Sequence, residues 1–134
     1  MGALDGRVII VTGAGRGIGR SSAIGLAENG ADVVLASRTA EQLEQVADEI
    51  RAIGRRAVVA PVDVMDFDQL TGLAGVAMDA FGRIDIVVNN AGGTPPRPFL
   101  DTSIGFFERA FRFNVRSEEH TSELQSRGLI SYAV

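Results

Sequence analysis

Between an apolar run and the start of a helical period stands Thr12-Gly13-Ala14-Gly15-Arg16-Gly17-Ile18-Gly19. Glycines let a backbone turn sharply, take positive φ and approach a ligand closely. A helix that begins at such a turn presents unpaired N–H groups and the positive end of its dipole, which together suit a pyrophosphate. The spacing is G-x-x-x-G-x-G, with Ile18 where the more usual pattern has its last glycine, and a bare strand-to-helix turn fits the same residues. Arg38 follows Ser37 at the end of a second apolar run. A cation there faces the positive end of the next helix, a placement that favours an anion nearby.

Composition removes other chemistries. The chain has no Cys and one His (His120), so neither thiolate chemistry nor a zinc site can be built. All 13 basic residues are Arg, which excludes any mechanism that needs a lysine of this chain. Acidic residues number 17 and the net charge is −4, against a nucleic-acid-binding surface. With 134 residues, 46% of them apolar and 22% charged, the chain suits one globular domain and neither a disordered tail nor a membrane protein. Val8–Val11 is too short for a signal peptide, and Gly6 stands where N-myristoylation wants Ser or Thr, so a cytoplasmic protein is expected.

The elements that must position the turn follow from periodicity. Arg7–Thr12, Asp32–Ser37, Ala57–Val62 and Ile84–Asn89 read as strands, the first rich in β-branched residues and buried on both faces. Between them lie helical periods. One runs from about Ile18 to Asn29 and stops at Gly30; another opens with a Thr39/Gln42 capping box and ends at Gly54. A third carries Leu70, Leu73, Ala74, Ala77, Met78 and Phe81 and closes at Gly82. A further helix begins at Ser103 with Phe107, Ala110 and Phe111 on one face. Alternating strands and helices with short connections predict an α/β fold, a Rossmann-type doubly wound parallel sheet cut short, with strand order 3-2-1-4. Its ligand crevice then lies at the carboxyl ends of strands 1 and 4, where the order reverses.

Asn89-Asn90-Ala91-Gly92 ends the fourth strand, Asp63-Val64 ends the third, and Asn114 lies on the following helix. With the glycine turn, these motifs over residues 3–115 resemble the short-chain dehydrogenase/reductase family, in order and at its spacing. The resemblance implies that Gly13, Gly17 and Gly19, with Ile18, line the pyrophosphate turn. It implies that Asp63 accepts from an adenine amino group beside Val64, and that Asn90, Ala91 and Gly92 border the nicotinamide ribose. Thr12 and Asn89 would tie strand 1 to strand 4. Asn114 would disturb its helix and hold a water in the catalytic proton relay. NAD-specific members carry an acid where Ser37 stands. Arg38 and Arg16 instead suit the 2′-phosphate of NADP through charge-assisted, forked hydrogen bonds, so NADP is expected over NAD.

The family's catalytic Ser, Tyr and Lys have no counterparts before the chain ends. Ser131 and Tyr132 are adjacent, so in a strand they would point to opposite faces, and there is no Lys. A cofactor-binding fragment without turnover is expected, from an oxidoreductase acting on a small hydroxyl or carbonyl substrate. Gly92–Phe99 resembles hydroxysteroid-dehydrogenase-like members; an acyl-carrier-protein ketoreductase is the comparable alternative. The parent would be a homodimer or homotetramer, and a non-catalytic NADP-binding module or sensor is the rival from another class. Arg116–Ser126 reads RSEEHTSELQS, which looks like the in-frame translation of a sequencing-library adapter, and Ile130–Val134 fits its continuation. Residues 1–115 are then the native half-domain and 116–134 an adapter-derived tail, with a genuine Ser/Glu-rich tail as the alternative. Without native sequence beyond it, strand 4 is expected to show an unpaired edge, although Leu129–Val134 is apolar enough to sit as a fifth strand.

Overall fold

The computed structural model describes residues 2–92, 98–116 and 130–133. Strand β1 (Val8–Thr12) is wholly buried, because helices cover both faces of the sheet it belongs to. It is followed by α1 (Gly17–Glu28), β2 (Asp32–Ser37), α2 (Ala40–Ala52), β3 (Ala57–Pro61), α3 (Phe67–Phe81) and β4 (Ile86–Asn89). Beyond these come a 3₁₀ turn (Phe99–Asp101), α4 (Ile104–Phe111), a π-helical turn (Arg112–Arg116) and β5 (Ile130–Ala133).

All described strands run parallel in the order β3-β2-β1-β4-β5, which contains the expected 3-2-1-4. The edge of β4 is not open: β5 pairs along it from Ile86↔Ile130 to Asn89↔Ala133. Any short apolar segment can satisfy the backbone groups of such an edge, whatever its origin.

Side chains alternate between the two faces. Ile9, Val11, Val33 and Leu35 pack with Ala23 and Ala27 of α1 and with Leu43, Val46 and Ile50 of α2. Ile10, Val34, Ala36 and Val87 pack on the other face against Leu70, Leu73 and Ala77 of α3. The chain therefore reverses its direction of winding between β1 and β4, with helices on opposite faces at that point.

Two local expectations are corrected. The Thr39/Gln42 capping box does not close: Thr39 makes no side-chain cap, and its backbone N–H goes to Ser37 Oγ (3.4 Å) in place of Gln42. Met78, on the expected apolar stripe of α3, is 49% exposed, because only Leu70, Leu73 and Ala77 of that helix reach the sheet fully. Phe107 and Phe111 of α4 share a face as expected, but that face is open; α4 buries no residue among those described.

The amino-terminal end of the sheet is tied by ions. The carboxylate of Asp32 is buried and receives Arg55 (2.9 Å), the Arg56 guanidinium and the Arg56 backbone N–H (3.1 Å). Asp85 accepts the backbone N–H of Val8 (2.8 Å) and bonds from Arg7 and Arg83. Burial by itself would raise both carboxyls, but these hydrogen bonds and charges outweigh it and hold both below the usual carboxylate range.

Candidate functional site

At the opposite end of the sheet the β1–α1 turn and the tail of β4 form one structure. Thr12 ends β1 with its hydroxyl aimed at β4. That oxygen accepts the N–H groups of Asn90 (3.0 Å) and Ala91 (3.1 Å) and donates to the Val88 carbonyl (3.4 Å). One donor and two lone pairs are thus all used. From the other side, the Asn90 amide donates to the Gly13 carbonyl (3.3 Å). The side chain expected to border a ribose is therefore also a strut between the two loops.

The glycines divide the work. Gly17 has φ +59° with open space where a Cβ would be, a positive-φ residue facing the crevice. Gly19 lies behind the turn and is buried; a Cβ there would sit 2.0 Å from the Gly13 carbonyl oxygen and 2.5 Å from Asn90 Nδ2. Its part is close packing of helix on strand and not lining of the crevice. Helix α1 begins at Gly17 with no side-chain cap from Arg16 and no acid in its first turn, so its positive end is left for another anion.

The carboxyl end of β2 supplies Ser37 and Arg38. The Arg38 and Arg16 guanidiniums are exposed and, among the described residues, make no ion pair or hydrogen bond; Arg7, Arg20, Arg51, Arg55, Arg56 and Arg83 are paired with carboxylates, and Arg109 and Arg112, which also show no ion pair there, lie outside the cleft. The end of β3 is held by α3. Asp66 caps that helix through Asp68 and Gln69 N–H, Gln69 Nε2 returns to Asp66 Oδ2 (3.0 Å), and Gln69 Oε1 accepts the Asp63 N–H (2.9 Å). Asp63 Oδ1 takes the Met65 N–H (2.9 Å), Asp63 lines the crevice, and Val64 is buried beside it.

The last wall comes from the π-helical turn. Asn114 Nδ2 donates to the Ala110 carbonyl (2.8 Å), and its Oδ1 would lie 2.7 Å from a Cβ on Gly92, so the side chain packs where Gly92 has none. Such widened turns recur at functional sites, where they redirect a side chain. The expected disturbance of the helix is thus present at Arg112–Arg116.

These pieces enclose a cleft of about 740 Å³, in the range of small-molecule and cofactor sites. Gly13, Arg16, Gly17, Ile18, Ser37, Arg38, Asp63, Val64, Asn90, Ala91, Gly92 and Asn114 all line it; of the expected set only Gly19 does not. Gly15, Thr39, Gln42, Val62 and Phe113 line it as well and were not read from the sequence as site residues. Gln42 was hidden by its position, where a helix-capping role explains the residue equally well. Among the described residues no cluster of acidic or His side chains could hold a metal, and no helix is long and apolar enough to cross a membrane.

Residues 7–132 match the family model described as short chain dehydrogenase. The chain is 43% identical over 121 residues to 7α-hydroxysteroid dehydrogenase of Escherichia coli, covering 90% of this chain and 47% of that protein. It is 49% identical over 112 residues to an uncharacterized oxidoreductase of Mycobacterium tuberculosis, covering 84% and 43%. A solved 7α-hydroxysteroid dehydrogenase complexed with NADH and 7-oxoglycochenodeoxycholic acid superposes with TM-score 0.87 at 39% identity, over 96% of this chain and 53% of that one. A short chain dehydrogenase from Burkholderia cenocepacia in complex with NADP superposes with TM-score 0.87 at 33% identity, over 96% and 55%. The chain spans about half the length of the curated relatives it matches.

Proposed function

The chain belongs to the short-chain dehydrogenase family, and from that premise we propose that its cleft binds NADP(H) in preference to NAD(H). The protein it represents is then an oxidoreductase acting on a small hydroxyl or carbonyl substrate. The observation that carries the preference is the pair of uncommitted guanidiniums, Arg16 and Arg38, beside an uncharged Ser37. A carboxylate at the end of β2 would repel a 2′-phosphate, whereas an arginine can hold one in forked, charge-assisted bonds. Each such bond is worth roughly 1.5–3 kcal/mol, or about tenfold to a hundredfold in affinity.

The residues fit such a ligand. The positive end of α1 and the Gly17 backbone suit the pyrophosphate. The carboxylate of Asp63 suits an adenine amino group, with Val64 packed at its side. Asn90, Ala91 and Gly92 would border the nicotinamide end, and Asn114 would orient a water for proton transfer. When bound, the nicotinamide supplies or accepts the hydride. The lysine that the family pairs with its general acid is not among this chain's residues, since it has no Lys. Catalysis is therefore assigned to the whole enzyme and binding to this region, with residues 1–115 as its native part. The homology to hydroxysteroid dehydrogenases supports a hydroxysteroid-like substrate, and a homodimeric or homotetrameric parent follows the family's habit.

Titration calorimetry of the chain with NADPH and NADH tests the cofactor reading. A preference of about tenfold or more for NADPH, lost in Arg38→Ala, is expected; equal affinities would overturn it. Re-reading the source gene across codon 115 tests the enzyme reading. A frame that continues to a Ser and a Tyr-x-x-x-Lys supports it, while a gene that encodes RSEEHTSELQS and stops favours a non-catalytic NADP-binding module.

A further inference from the structure

We infer that Gln42 is a further cofactor-specificity residue, a neutral amide in the cleft that reads the 2′-phosphate beside Arg38. The inference rests on the NADP reading of the cleft and adds to it a residue on α2. Gln42 occupies the third position of that helix, where a capping role would send its amide back to the Thr39 N–H. That N–H is already taken by Ser37 Oγ, so the box stays open. The Gln42 amide has no hydrogen-bond partner among the described residues, and the side chain is half-buried in the cleft with Ser37 and Arg38.

Gly15 shows that this placement is built. Its φ is not positive, so its backbone does not demand glycine. A Cβ there would instead lie 3.0 Å from Gln42 Oε1, 3.1 Å from Gln42 Cβ and 3.2 Å from Ser37 Oγ. The missing side chain is the space in which Gln42 and Ser37 lie together against the turn. An amide can donate to a phosphate oxygen without carrying charge, and that of Gln42 has no partner among the described residues to give up. A dinucleotide with a 2′-phosphate supplies that partner, whereas one with a 2′-hydroxyl offers a weaker, uncharged one.

Gln42→Glu is the decisive variant. It keeps the shape, introduces the charge, and places an acid in the first turn of α2, where the helix dipole favours it. The fold should therefore hold, with a melting temperature no lower than that of the unaltered chain. Calorimetric dissociation constants for NADPH and NADH are measured on the unaltered chain, Gln42→Glu, Gln42→Leu and Arg38→Ala. Gln42→Glu is expected to weaken NADPH by about tenfold or more, the size of a charge-assisted bond lost, with NADH within about threefold. Gln42→Leu should weaken NADPH by a smaller factor. If both Gln42 variants keep the original NADPH-to-NADH ratio while Arg38→Ala collapses it, Gln42 does not read the phosphate and the cleft reading survives. If the unaltered chain shows no preference, the cleft reading fails and this inference falls with it.

Discussion

The hydroxyl of Thr12 joins residues 78 and 79 positions away in sequence, and its loss can be read in two ways. Thr12→Val keeps the shape and strands the N–H groups of Asn90 and Ala91, at a cost of about 2–4 kcal/mol in urea unfolding. Thr12→Ser keeps the hydroxyl and should cost about 1 kcal/mol, for one methyl group lost from a buried site. If Val and Ser variants unfold alike, the hydroxyl is not what holds the two loops. Gly19→Ala acts differently, since its Cβ would fall 2.0 Å from the Gly13 oxygen. The turn must shift, and NADPH binding measured by calorimetry should be lost beyond detection. At this scale the glycine turn was legible because its residue types have few other uses. Gln42 was not, because a helix cap accounts for it locally, and the competing claim of Ser37 on the same N–H is a matter of three-dimensional position.

Helix α3 links a cap to the site. Asp66 holds its first turn, and Gln69 passes that restraint to Asp63. Asp66→Ala should lower stability by about 1 kcal/mol, the usual value of such a cap. It should also weaken NADPH binding, because Gln69 loses the partner that aims it at Asp63. Unchanged affinity in a destabilised variant would show that Asp63 does not depend on the cap. The apolar stripes of the helices were legible from spacing, yet spacing tells only that a face exists. Leu70, Leu73 and Ala77 are covered by the sheet, while Ile104, Phe107 and Phe111 are more than half exposed on α4. The π-helical turn was visible only through the family resemblance of Asn114, since a single widened turn leaves no periodic signature in so short a helix.

The two ends of the sheet carry separate tasks, with acids fixing one and cations lining the other. Asp32 and Asp85 have carboxyls below the ordinary value of 3.8, burial being outweighed by bonds and charges from arginines and backbone N–H groups. A lowered folded-state value means that the stabilisation is fully present above the unfolded value and is lost as pH falls through the folded one. Urea midpoints should therefore be flat near neutrality and fall below about pH 4. Asp32→Asn should lower stability at neutral pH by about 2 kcal/mol and flatten that fall. A variant with the same acid slope as the original would remove Asp32 from the account. None of these changes should alter NADPH affinity, because the ion pairs lie across the sheet from the cleft.

Sequence by itself determined the order of strands and helices, the parallel sheet and the glycine turn. These depend on periodicities of two and 3.6 residues and on residues with restricted backbone uses, all of which are local. Tertiary structure decided what meets across the crevice. Thr12 finds Asn90 and Ala91, Gly92 yields to Asn114, and Gly19 withdraws behind the turn, because winding reverses between β1 and β4 and brings distant segments together. It also decided between partners that a sequence leaves equal. Ser37 takes the Thr39 N–H and Gln42 is left to the cleft, a choice set by distance between β2 and α2 and not by residue type.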